Sequence, residues 1–139
     1  MEILPHLRTI RDAAERPANE NTVSAIADSD PIFQTIAQWR VSWRETEKAA
    51  VALRRAEASY GAGSARAEAA DKHWDILIQQ QAERLGVVCR MAPTTPAGLL
   101  AFVDVMREHV WEAEPDTWCD GDAVAASYES LRASLDRLK

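Results

Sequence analysis

From Pro31 to Tyr60 the chain runs for thirty residues with no glycine and no second proline. A helix of that length rises about 45 Å, whereas a compact sphere of this chain length measures only about 37 Å across. The start is well marked. Asp30 can accept the free amide hydrogens of a first turn, and Pro31 suits the first helical position, where no amide hydrogen is needed. Within the run, Ile32, Ile36, Trp39, Trp43, Ala50, Leu53 and Tyr60 recur at spacings of three, four or seven. That average of 3.5 residues keeps one apolar seam turned toward a partner and implies a left-handed coiled coil. Thr46 weakens the seam and Glu57 interrupts it. An elongated bundle or a dimer is expected, not a ball.

The rest of the chain supplies partners for this helix. Gly61-Ala62-Gly63-Ser64 reads as a reversing turn. A second helix follows from about Ser64 to Leu85, with Ala70, Trp74, Leu77, Gln81 and Leu85 as its seam, Ile78 beside it and Gly86 as the expected C-cap. Val87 to Thr95 reads as an irregular connection. Thr95 and Pro96 mark a third helix start, with Leu99, Val103, Met106, Val110 and Ala113 in line and Asp104, Glu108 and Glu112 on the opposite, solvated face. Pro115 ends that helix. A fourth begins near Asp120 or Asp122 and carries Val124, Tyr128, Leu131, Leu135 and Leu138. Residues 1–28 read as a separate arm: Leu4, Leu7, Ile10 and Ala14 have helical spacing, and Arg16 to Asn21 reads as a loop. The expectation is all-α: a long antiparallel helical hairpin plus two shorter helices in a four-helix arrangement over residues 29–139, with an N-terminal helical arm.

Charge narrows the functional classes. The formal net charge is −6, which opposes a general nucleic-acid or anionic-membrane role, because phosphate binding needs clustered Lys and Arg. The distribution is uneven, with five basic against three acidic residues in 31–60 but four against nine in 97–139. One mildly basic helix among acidic ones follows. No run of about 18 apolar residues could span a membrane, and Met1 to His6 lacks the basic-then-apolar order of a secretory leader, so a cytoplasmic protein is expected. Cys89 and Cys119 lie thirty residues apart without the paired spacing of a zinc site. Two reduced thiols and a disulfide between the loops before the third and fourth helices both remain open, since redox compartment decides.

Few chemical motifs survive a check of spacing. In the acidic stretch Glu112 to Asp122, Asp116, Asp120 and Gly121 sit where a calcium loop has positions 1, 5 and 6, but Trp118 and Ser127 replace the required oxygen ligands. A di-iron bundle needs Glu-x-x-His on two helices, and none occurs. His6, His73 and His109 fall on separate helices, the last two at the margins of apolar faces. No phosphate-binding glycine loop or nucleophile elbow is present. Thus no catalytic residue, metal site or cofactor is expected. Five tryptophans remain. Trp39 and Trp43 lie one turn apart and Trp74 is on the next helix, so they can line an aromatic pocket for a flat apolar ligand or simply fill a wide core. Trp111 and Trp118 flank the acidic stretch, as candidate interface residues. Gly98 in a first helical turn costs about 1 kcal/mol against alanine. A close helix contact there would offset that cost, and so would a ligand at the exposed amide hydrogens, since a helix start favours anions; close packing is the preferred reading.

Read together, Asp30-Pro31-Ile32-Phe33, Trp39-Arg40, the alanine- and glutamate-rich stretch to Tyr60, and Pro93-Thr94-Thr95-Pro96-Ala97-Gly98 resemble a group of short all-helical bacterial proteins. Such proteins carry a D-P-I-x-x-x-I helix start and a later P-T-T-x-x-G helix start. The resemblance implies a helical fold and brings no activity. The leading expectation is a non-enzymatic helical interaction or self-association protein, whose partner is another protein or a second copy of itself in a homodimer. The alternative is a small-ligand-binding bundle using Trp39, Trp43 and Trp74.

Overall fold

The computed structural model describes residues 30–113 and 121–139. Four α-helices account for most of them: α1 (Pro31–Tyr60), α2 (Ala65–Cys89), α3 (Pro96–Met106) and α4 (Gly121–Arg137), with a wide π turn (Arg107–Trp111) closing α3. The fold is all-α, a long hairpin followed by two shorter helices. The expected N-terminal arm, residues 1–28, lies outside the described residues, as does most of the acidic stretch.

Local chemistry sets the helix ends. Asp30 caps α1 by accepting from the Ile32 amide at 3.1 Å. Gly61 ends α1 at φ +90°, a conformation that favours glycine, and its amide donates to Glu57 O at 2.9 Å. Ser64 starts α2 by accepting from the Ala67 amide, and Thr95 starts α3 by accepting from the Gly98 amide.

The hairpin is antiparallel, with a register fixed by polar contacts between the two helices. Trp39 Nε1 donates to Gln81 Oε1 at 2.9 Å, Thr46 Oγ1 reaches Leu77 O at 3.2 Å, and Arg84 Nη1 donates to Ser42 Oγ and to Gln38 O. The buried face of α1 is Ile32, Ile36, Trp39, Ser42, Thr46 and Ala49. The seam therefore departs from expectation at its distal end. Tyr60 is exposed, with the Arg66 guanidinium 4.4 Å from its ring centre. Among the described residues a phenol near the hairpin tip has no third layer to bury it, and the Arg66 guanidinium both covers its ring and donates to its hydroxyl.

Helix α2 continues through Gly86 to Cys89 instead of stopping at the glycine. Val88 and Cys89 are fully buried, and their burial outweighs the roughly 1 kcal/mol that an internal glycine costs. Helix α3 lies against α1 and runs parallel to it, and α4 returns beside α2. In α4 the expected stripe is only partly right. Leu131 is buried, but Tyr128 is exposed, and the buried face is lined by Ala123, Ser127, Ser130 and Ser134. Ser130 Oγ donates to Cys89 O at 2.8 Å and Ser134 Oγ donates to Pro93 O at 2.7 Å. Serines suit this place because they are small enough for close approach and satisfy carbonyls left free after α2 ends.

The hydrophobic core sits at one end of the hairpin. It takes Ile32, Ile36 and Trp39 from α1, Leu85, Val88 and Cys89 from α2, and Leu99, Phe102, Val103, Val105 and Met106 from α3. Among the described residues, α1 beyond Trp43 contributes nothing to that core. From there to Tyr60 the chain is a two-helix projection, about 25 Å long at 1.5 Å per residue.

Candidate functional site

Two places in the fold bring together residues that the sequence singled out. The first is the meeting of two helix starts. Asp30 is 2 % exposed, and its second carboxylate oxygen accepts from the Thr94 amide (3.1 Å), the Thr95 amide (3.0 Å) and Thr95 Oγ1 (2.8 Å). One carboxylate thus caps α1 and clamps the start of α3, 65 residues away. Gly98 lies against it. A Cβ built there would fall 1.9 Å from Asp30 Oδ2 and 2.9 Å from Ile32 Cγ2. The close contact expected at Gly98 is therefore with this clamp, and it leaves no room for a side chain. The arrangement is a structural joint, since each carboxylate oxygen already has protein partners.

The second place is aromatic. Trp39 is buried at 1 % exposure, and its ring centre lies 6.0 Å from that of half-buried Trp43. The imidazole of His109 stands edge-on to both, 4.6 Å from Trp39 and 5.0 Å from Trp43. The π turn presents it: the helix expected to continue to Ala113 widens after Met106, so Val110 stays in the core while His109 meets the tryptophans. Such turns concentrate at functional positions. Burial lowers the His109 pKa below the usual 6.5; Glu108 opposes this, Arg40 adds to it and Glu47 opposes it. The ring is therefore mainly neutral at pH 7.

Beneath this cluster Gln81 is fully buried. Its Oε1 accepts from Trp39, which fixes the amide orientation, and its Nε2 has no hydrogen-bond partner among the described residues. Trp74 is half-buried. It lies on α2 seven residues before Gln81, about 10 Å toward the hairpin tip. The structure thus brings Trp39 and Trp43 together and stations Trp74 two turns away. Sequence spacing missed His109 and Gln81 as members of the cluster. The signal for Gln81 was its polar side chain in an otherwise apolar seam.

Trp111 is half-buried and stacks on exposed Tyr128, with ring centres 5.1 Å apart and planes within 8°. Its Nε1 donates to Ser127 Oγ at 2.8 Å, and that hydroxyl donates to Val124 O. Trp118, the other interface candidate, lies outside the described residues, as does Cys119. Cys89 is buried, its sulfur 3.7 Å from that of Met106. Among the described residues no group of three or more His, Cys, Asp or Glu is placed to hold a metal ion. No described helix is long and apolar enough to cross a membrane.

Comparison with known proteins leaves the geometry to speak for itself: no family model, curated protein or solved structure matches this chain.

Proposed function

We propose that this chain is a non-enzymatic helical interaction protein of the cytoplasm that associates with a second copy of itself through the projecting part of the α1–α2 hairpin. One observation carries the reading. The core ends at Trp43, yet α1 continues for seventeen residues and α2 supplies its only cover among the described residues. Two helices alone bury one stripe each and leave the rest of each surface open. An isolated helical hairpin is marginal for the same reason that short isolated helices are. A third and fourth helix from another molecule complete the packing that four-helix bundles use. Val51 and Ile76, exposed by 36 % and 55 %, lie on that open surface.

The alternative reading, a small apolar ligand between the tryptophans, has less support. His109 already stands against both Trp39 and Trp43.

Hydrogen exchange at two protein concentrations tests the proposal. The backbone amides of residues 44–58 exchange more slowly at the higher concentration if the projection pairs. Identical exchange at both concentrations refutes it.

A further inference from the structure

We draw no further inference here: the strongest candidate, the buried Gln81 amide beneath the side-chain cluster of Trp39, Trp43 and His109, belongs to the site already described, and nothing among the described residues shows what its Nε2 would bind.

Discussion

Replacing Gly98 with alanine separates two physical effects of opposite sign. Intrinsic propensity favours alanine inside a helix by roughly 1 kcal/mol, so an open site would be stabilised. Here the new Cβ falls 1.9 Å from Asp30 Oδ2, where ordinary contact needs more than 3 Å. The carboxylate must therefore move by over an ångström. Its three bonds to Thr94 and Thr95, now 2.8 to 3.1 Å long, cannot survive that displacement together. Bonds to a charged group contribute about 1.5–3 kcal/mol each and are not additive. Losing the equivalent of two, less the propensity gain, gives a net destabilisation of about 3 kcal/mol. For a chain of this size that lowers Tm by roughly 10 °C. Urea unfolding followed by circular dichroism measures it, with Asp30→Ala and the double variant completing a cycle. In the Asp30→Ala background most of the Gly98→Ala penalty disappears, because the colliding group is gone. A Gly98→Ala variant that is neutral or more stable than the wild type would refute the clamp.

Three further outcomes follow from the packing. Because burial depresses the His109 pKa, the unfolded chain binds the proton more readily. Stability is then full above pH 6.5 and falls as pH drops from there toward the depressed folded value; urea midpoints at pH 7.5 and 5.5 should diverge less in His109→Phe than in the wild type. Ser130→Ala and Ser134→Ala each remove a buried hydrogen bond to a carbonyl, one at the last residue of α2 and one just beyond it, and should cost about 1 kcal/mol apiece, read from the same titrations; no loss at either site would mean that water replaces the hydroxyl. Trp39→Phe takes the indole donor from the Gln81 amide and opens space in the core, at a cost of about 2–3 kcal/mol. Adding Gln81→Leu should recover part of that cost, since it removes the stranded amide, and a double variant worse than the sum of the singles would contradict the assignment of Gln81.

Much of this architecture is legible in the residues because the helix ends are chemically marked. Asp30-Pro31, Gly61, Ser64 and Thr95-Pro96 each do locally what their side chains and backbone allow, and the helices begin and end there. Gly86 misled because a glycine signals a helix end only when nothing beyond it must be buried, and Val88 and Cys89 must. Tyr128 misled in the opposite sense. Periodicity records which residues share a face but not which of two adjacent stripes meets the core, and small serines next to free carbonyls win over an aromatic ring that can stack on Trp111. The site was harder to read. Trp39 and Trp43 announce themselves one turn apart, whereas His109 reaches them only because the helix widens after Met106, and no residue spacing encodes a π turn. The Asp30 to Thr95 clamp spans 65 residues, so sequence could suggest a tight contact at Gly98 without naming its partner.

Self-association is the claim on which the functional account stands, and molar mass against concentration tests it most directly. Light scattering after size exclusion, at several loadings and at low and high salt, gives the mass of the 15.4 kDa chain in solution. The account predicts a mass that climbs toward twice that value as concentration rises. A mass fixed at that of one chain under every condition would contradict it.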